Sequence, residues 1–155
     1  MPTPLDDTDH RLLAALQSDA RLPQSALGAR VGLSAATVNR RLRRLTDDGY
    51  ITRTTAVLAP DLLGHPLTVI AQVEVESEQA VPLDHVRSAF IACPQVQQCY
   101  NVTGDYDFIL VFVVRDMHQY LDLTRQLFYG EPNVKRFKTL VAMDRAKVTL
   151  DVPFA

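Results

Sequence analysis

The feature of the sequence that most constrains its fold is an uninterrupted apolar run, Phe108-Ile109-Leu110-Val111-Phe112-Val113-Val114. Its length and its β-branched and aromatic residues are typical of a buried strand, and we predict one at Asp107–Val114. The run is far too short to span a bilayer. Because both faces of such a strand are apolar, helices must cover one face of its sheet and another layer must cover the other. A neighbouring subunit is the simplest such layer, since an exposed apolar face marks an interface.

The residues around this run predict three more strands and two helices. Period-two alternation predicts a strand at Leu67–Val75, and a second strand at Val96–Val102 forms a hairpin with the apolar run across the Gly104-Asp105 turn. A further strand at Val134–Met143 follows a Gly-Glu-Pro turn. Apolar residues recur with helical spacing in Leu83–Ile91 and again in Met117–Phe128. The resulting order is β-α-β-β-α-β. This order predicts a ferredoxin-like domain of the α+β class, with both helices on one face of an antiparallel sheet.

Charge and turn residues divide the chain into two domains. With 155 residues and 47% hydrophobic content, it is long enough for two small globular domains. Residues 1–55 carry 8 Arg, no Lys and 6 Asp, a net charge of +2, whereas the rest of the chain has a net charge of -4. Pro60 and Gly64 mark the passage between the two halves. We therefore predict one domain at residues 1–59 and another at residues 60–155.

Three helices and a short strand or hairpin arm are predicted in the first domain. A first helix begins within the capping segment Leu5–Asp9 and ends near Asp19. A second helix occupies Gln24–Val31 and ends at Gly32, and a third helix, capped by Ser34, occupies Ala35–Asp48 with a narrow apolar stripe. The segment Ile51–Leu58 then alternates β-branched and polar residues, as a strand would.

The second and third helices, joined by the tight turn Gly32-Leu33-Ser34, have the spacing of a helix-turn-helix, whose second helix enters the major groove of DNA. A helical wheel centred on Val38 directs five side chains of the third helix away from the core: Ala36, Thr37, Arg40, Arg43 and Arg44. Arginine grips phosphate or pairs with a guanine edge, and we expect Arg41 to reach the DNA backbone. The alternative is that these charges form only a solvated helix face. We predict a DNA-binding surface of seven residues: Ser34, Ala36, Thr37, Arg40, Arg41, Arg43 and Arg44.

Three segments together carry a family signature. They are Leu5–Asp9 leading to Arg21-Leu22, then Val31-Gly32-Leu33-Ser34 with Val38, Arg40-Arg41-Leu42, Arg44-Leu45 and Gly49-Tyr50-Ile51, and finally Val102-Thr103-Gly104-Asp105-Tyr106-Asp107-Phe108. In this order and separation they resemble the Lrp/AsnC family of feast/famine transcriptional regulators. The resemblance covers essentially the whole chain.

The resemblance implies a winged helix-turn-helix followed by a ligand-sensing αβ domain. It implies a transcriptional regulator that binds double-stranded DNA at a roughly palindromic operator and that has no enzymatic activity and no cofactor. It also implies homodimers that form through the sheets, further assembly into octamers in many cases, and an amino acid effector bound between subunits. The two-sided apolar strand agrees with such an interface.

The turn at Thr103–Asp107 is the candidate effector site. Its backbone donors and short polar side chains suit the ammonium and carboxylate groups of an amino acid. On residue chemistry alone, a plain hairpin turn with Gly104 chosen for its backbone angles is favoured. The resemblance reverses this preference and adds the last strand. It implies six pocket residues: Gly104, Asp105, Tyr106, Asp107, Thr139 and Val141.

Several other functions find no support in the sequence. The four histidines, His10, His65, His85 and His118, are too scattered to predict a metal site. Cys93 and Cys99 are expected to be reduced thiols, and without a targeting or membrane-spanning segment we expect a cytoplasmic protein with no membrane partner. Neither a phosphate-binding Gly-x-x-x-x-Gly-Lys loop nor a Gly-x-Ser-x-Gly elbow occurs, which excludes the corresponding hydrolase classes.

The competing hypothesis is an enzyme of the same architecture, because sirohaem decarboxylases resemble this family. In those enzymes a Trp-containing stretch stands where this chain has Gly-Asp-Tyr-Asp-Phe, and the preceding strand carries His. This chain has no Trp, and Gln98 precedes Cys99-Tyr100. These differences and the arginine-bearing helix favour the regulator. A ligand-binding module with a vestigial DNA domain is a third possibility.

Overall fold

The N-terminal helices begin and end within one or two residues of their predicted bounds. The computed structural model describes residues 2–154 and contains three N-terminal helices, α1 at Asp7–Ser18, α2 at Gln24–Val31 and α3 at Ala35–Asp47. Helix α1 starts at a reciprocal capping box, in which the Asp9 N–H donates to the Asp6 carboxylate at 2.8 Å and the Asp6 N–H donates to the Asp9 carboxylate at 3.1 Å. Two acidic side chains of the predicted capping segment, Asp6 and Asp9, therefore satisfy two otherwise unpaired backbone donors.

The apolar stripes of the three helices meet in one small core. Leu12, Leu27, Val31 and Val38 are buried together. Burial of these side chains is what holds such short helices in place, since helices of this length are marginal in water on their own.

The predicted strand at residues 51–58 is wrong. The segment has no regular secondary structure and is almost entirely exposed. A strand must pair its backbone N–H and C=O groups with a neighbour, and the sheet formed by the described residues does not include this segment. Alternation alone therefore did not produce a strand here.

The chain forms two compact units whose division differs from the predicted one at the C-terminus. One unit is residues 58–147, and the other combines residues up to 57 with the segment that begins at Val148. The Gln17 side chain holds this returning segment, because it donates to the Val152 carbonyl and accepts from the Val152 N–H, both at 2.9 Å. The predicted domain at residues 60–155 assigned this last segment to the other unit.

The second unit has the predicted β-α-β-β-α-β order. The bounds are β1 Leu67–Val75, α4 Ala80–Ala92, β2 Val96–Asn101, β3 Phe108–Val114, α5 Met117–Thr124 and β4 Val134–Val141. The strands are antiparallel and lie side by side in the order β2-β3-β1-β4. A single turn of 3-10 helix at Asp61–Leu63 precedes β1, and α5 continues as a π-helical turn at Arg125–Tyr129.

Burial alternates strictly along β3, which confirms that the run has two distinct faces. Phe108, Leu110, Phe112 and Val114 are fully buried under the helices, where they pack with the aromatic side chains of α4 and α5. The intervening residues Ile109, Val111 and Val113 face the other side of the sheet and are only half-buried. This second face is the one for which we predicted a covering subunit.

Among residues 2–154, none of the helices combines the length and the apolarity that crossing a bilayer requires.

Candidate DNA-binding surface and effector turn

Helix α2 approaches the turn before α3 so closely that only glycine fits at position 28. A Cβ atom on residue 28 would lie 2.3 Å from the Leu33 carbonyl oxygen. The Leu33 N–H also donates to the Gly28 carbonyl at 2.9 Å. Gly32 ends α2 with φ of 73°, a left-handed conformation that glycine adopts without steric conflict. These contacts set the angle at which α3 leaves the turn.

Ser34 starts α3 and ties its first turn together. Its hydroxyl accepts a hydrogen bond from the Thr37 N–H at 3.2 Å and lies 3.0 Å from the Thr37 hydroxyl. This is the N-cap predicted from the sequence. Both side chains stand at the helix N-terminus, where backbone N–H groups and the helix dipole favour a phosphate.

One face of α3 is free to meet DNA. Ala36, Arg40 and Arg43 are exposed, and they line a shallow depression together with the half-buried Asn39 and Arg44 and, at the far end of the helix, Asp47 and Asp48. We did not predict Asn39 from the sequence, although its spacing of three residues from Ala36 and four from Arg43 places it on their face. Asparagine can pair with an adenine edge in bidentate fashion, so Asn39 adds a base-reading group to the surface.

The structure corrects the predicted orientation of Arg44, and it shows that Arg41 is held in the same way. Arg41 donates through Nη1 to Asp6 at 2.7 Å and to Asp9 at 2.8 Å, and Arg44 donates through Nη2 to the other oxygen of Asp9. The Asp9 side chain is 0% exposed. The helical wheel placed the Arg44 Cβ correctly outside the core, but the long side chain turns back to this buried carboxylate.

The ion pairs favour the charged forms of Asp6, Asp9 and Arg41 and shift the pKa of each. A hydrogen bond from Arg41 is the main reason that the pKa of Asp6 falls to about 2. Burial of the Asp9 carboxylate raises its pKa, but hydrogen bonds, the largest from Arg41, outweigh burial, so the pKa lies below the ordinary value. The hydrogen bond to Asp6 raises the pKa of Arg41 above its usual range. The cluster is therefore ionised at neutral pH.

The predicted effector turn connects β2 to β3. Gly104 has φ of 123°, which requires glycine, as the hairpin interpretation expected. The Asp107 carboxylate accepts the Val75 N–H at 2.7 Å, and the Asp107 N–H donates to the Val73 carbonyl at 2.8 Å. One carboxylate oxygen of Asp107 is thus used to hold the turn against β1. Asp105 is exposed.

The turn also meets a charged cluster that the sequence did not reveal. The Arg136 guanidinium lies 5.8 Å from the centre of the Tyr106 ring, and its Nε donates to Glu74. Lys135 also donates to Glu74, at 2.6 Å. These hydrogen bonds, first from Lys135 and then from Arg136, lower the pKa of Glu74. We did not predict Arg136 because its partner Glu74 is 62 residues away in sequence, and only the pairing of β1 with β4 brings the two together.

The two remaining candidates, Thr139 and Val141, lie away from the turn within one chain. They pair with Ala71 and Val69, which are two and four positions along β1 from Val73, the residue next to the turn. The Thr139 hydroxyl lies 2.8 Å from the Tyr120 hydroxyl. Strand β1 also separates β4 from the hairpin that carries the turn. A single chain therefore does not bring the six predicted residues into one pocket.

No cluster of three or more His, Cys, Asp or Glu side chains that could hold a metal ion occurs within residues 2–154. Both cysteines are free thiols. Burial raises the pKa of Cys99, which disfavours the reactive thiolate form.

Comparison with known proteins finds two family profiles in the chain. The family profile of a winged helix-turn-helix DNA-binding domain matches residues 5–52, and the profile of an Lrp/AsnC ligand binding domain matches residues 68–152. An HTH-type transcriptional regulator of Sinorhizobium fredii is 41% identical over 96% of this chain and 88% of its own length. The leucine-responsive regulatory protein of Klebsiella pneumoniae is 33% identical over 92% of this chain and 87% of its own length.

A solved structure supports the same comparison. The transcriptional regulator of Neisseria meningitidis in complex with L-Met has a TM-score of 0.90 and 25% identity, over 97% of both chains.

Proposed function

Because the chain belongs to the Lrp/AsnC family of transcriptional regulators, we propose that it binds a specific operator and that an amino acid effector controls this binding. The protein is a transcriptional regulator with a DNA-binding helix-turn-helix and a ligand-binding domain. The proposed parts are the operator specificity, the chemical class of the effector and the coupling of effector binding to DNA binding.

The observation that carries the proposal is the exposed face of α3. Ala36, Asn39, Arg40 and Arg43 line one depression, which continues to Arg44, Asp47 and Asp48, and Ser34 and Thr37 stand at the N-terminus of the same helix. Arginine and asparagine supply donors for guanine and adenine edges, and a helix N-terminus supplies donors for phosphate. A helix presenting this set after a tight turn suits the major groove.

The amino acid effector is supported by the chemistry of the turn and by the relatives. Asp105 offers an exposed carboxylate for an ammonium group, and Arg136 offers a guanidinium for a carboxylate. One relative is named for its response to leucine and another was solved with L-Met. We propose that Thr139 and Val141 join the turn residues across a subunit interface, because one chain keeps these two groups apart.

A two-fold dimer follows from the uncovered face of the sheet. Ile109, Val111 and Val113 present an apolar surface at the centre of that face. Pairing two such faces would bury it and would place two recognition helices on a roughly palindromic operator, with half-sites one helical turn or a multiple apart. Binding of the effector between subunits would then shift the equilibrium between assemblies that space the helices differently, which couples the two sites.

A mobility-shift titration on DNA from upstream of the gene, with and without a mixture of the twenty amino acids, tests the proposal. We expect a shifted complex whose affinity or stoichiometry changes with the mixture, and subdividing the mixture then identifies the effector. The Arg40→Ala variant should weaken operator binding by about 1–3 kcal/mol if Arg40 reads a base, and should weaken all DNA alike if it contacts phosphate. A complex that no amino acid alters would contradict the effector part of the proposal, and the absence of any shift would favour an enzyme or a vestigial DNA domain.

A further inference from the structure

The four arginines of α3 are divided into two pairs with different surroundings. Arg40 and Arg43 are exposed on the face described above. The side chains of Arg41 and Arg44 are only 24% and 34% exposed, and both point to the first turn of α1. Their Nε atoms are buried, with no hydrogen-bond partner among the described residues, and the exposed part of Arg44 lines the depression described above.

The inward pair is neutralised within the protein. Asp6 and Asp9 together carry two negative charges, which match the two positive charges of Arg41 and Arg44. Both oxygens of Asp9 are engaged by guanidinium groups, and one of them also accepts the Asp6 N–H. If either arginine turned to a DNA phosphate, Asp9 would be left buried with less compensation, which is strongly unfavourable.

We infer that Asp9 is a positioning residue for DNA recognition: it holds the guanidinium groups of Arg41 and Arg44 away from DNA, so that of the four α3 arginines only Arg40 and Arg43 contact it. Because the two held arginines lie one turn apart on α3, their attachment to a single carboxylate fixes the rotation of the helix about its axis. That rotation decides which side chains face the groove. This inference rests on the proposed DNA binding and adds a division of labour within it.

The salt dependence of DNA binding measures this division directly. The logarithm of the binding constant falls linearly with the logarithm of salt concentration, with a slope of about 0.9 for each phosphate that the protein neutralises. For the full-length protein on its upstream DNA, we expect Arg40→Ala and Arg43→Ala each to reduce the slope by up to about 1 per bound recognition helix. Arg41→Ala and Arg44→Ala should leave the slope unchanged, even where they lower affinity through the position of the helix.

Replacement of Asp9 tests the positioning role in the opposite direction. In Asp9→Asn, Arg44 loses its only carboxylate partner within residues 2–154, so the salt slope on random-sequence duplex should rise by about 1 per recognition helix. The ratio of operator affinity to random-duplex affinity should fall at the same time. The double variant Asp9→Asn/Arg44→Met should return the slope to its wild-type value, an effect that loss of stability alone would not produce.

A milder variant keeps the test available if Asp9→Asn does not fold. The Asp6 side chain is 52% exposed and contacts only one of the held arginines, Arg41. We expect Asp6→Asn to raise the random-duplex slope less than Asp9→Asn does, because Asp9 still holds Arg41.

The possible results separate the inference from the proposed function. A slope that Arg44→Ala reduces as much as Arg40→Ala does, or a folded Asp9→Asn protein with an unchanged slope, would overturn the inference and leave the regulator intact. A wild-type protein that binds no duplex at any salt concentration would overturn both.

Discussion

Addition of one methyl group at Gly28 sets two physical effects against each other. Alanine is favoured over glycine in a helix interior by about 1 kcal/mol, so helix propensity predicts that Gly28→Ala stabilises α2. The Cβ would, however, lie 2.3 Å from the Leu33 carbonyl oxygen, far inside van der Waals contact. The obstructing atom belongs to the backbone, so it cannot move aside by a change of rotamer.

The steric effect should dominate. Overpacking of this kind costs about 1–3 kcal/mol, and separation of the two segments would also lose the hydrogen bond from Leu33 to Gly28, worth about 1 kcal/mol. After the gain of about 1 kcal/mol from propensity, we expect Gly28→Ala to lower the free energy of unfolding by about 1–3 kcal/mol. The displaced turn should also reduce operator affinity, because it sets the direction of α3.

Urea unfolding followed by far-UV circular dichroism measures this change, and hydrogen exchange of the Leu33 amide localises it. Ala29→Gly is the matched control, since Ala29 is the next residue of α2, is exposed, and should lose only about 0.5–1 kcal/mol through propensity. Exchange at Leu33 should accelerate more in Gly28→Ala than in the control. A Gly28→Ala protein as stable as wild type, or more stable, would refute the steric argument.

Three further predictions concern the caps and the ion pairs. Ser34→Ala should lower the free energy of unfolding by about 1 kcal/mol through loss of the α3 N-cap, and an unchanged urea midpoint would contradict this. Asp107→Ala should destabilise the ligand-free protein by about 1–3 kcal/mol, because the Val75 N–H loses its acceptor; equal stability would leave that carboxylate with only a ligand role. The lowered pKa of Asp6 means that its contribution to stability is present above the unfolded-state pKa of 3.8 and is lost as pH falls towards about 2. The pKa of Asp9 is also lowered, so its contribution is likewise lost in acid, below 3.8. Over this acidic range, Tm should therefore fall less steeply in Asp6→Asn than in wild type, and parallel curves would argue against the ion pairs.

Local patterns in the sequence were sufficient to predict most of the secondary structure. The bounds of α2 and β1 agree with the prediction, because apolar periodicity, Gly32 as a helix end and Ser34 as a cap all act within a few residues. The order of strands and helices follows from the same signals, and that order restricts the topology to very few arrangements. The alternating burial along β3 was likewise encoded in the run of seven apolar residues.

Tertiary structure alone decided which functional groups remain available. Arg44 lies on the predicted side of α3, yet its guanidinium, carried on a long flexible side chain, reaches a carboxylate 35 residues away in sequence. Contacts with β1 likewise occupy one carboxylate oxygen of Asp107 and bring Arg136 beside the turn, at separations of 32 and 62 residues. A periodic pattern locates Cβ atoms, whereas hydrogen bonds form at the ends of side chains and depend on neighbours from distant parts of the chain. The sequence by itself therefore determined where the recognition helix and the predicted effector turn lie, and only the packing of α1 and β1 against them determined which of their charges are free to bind.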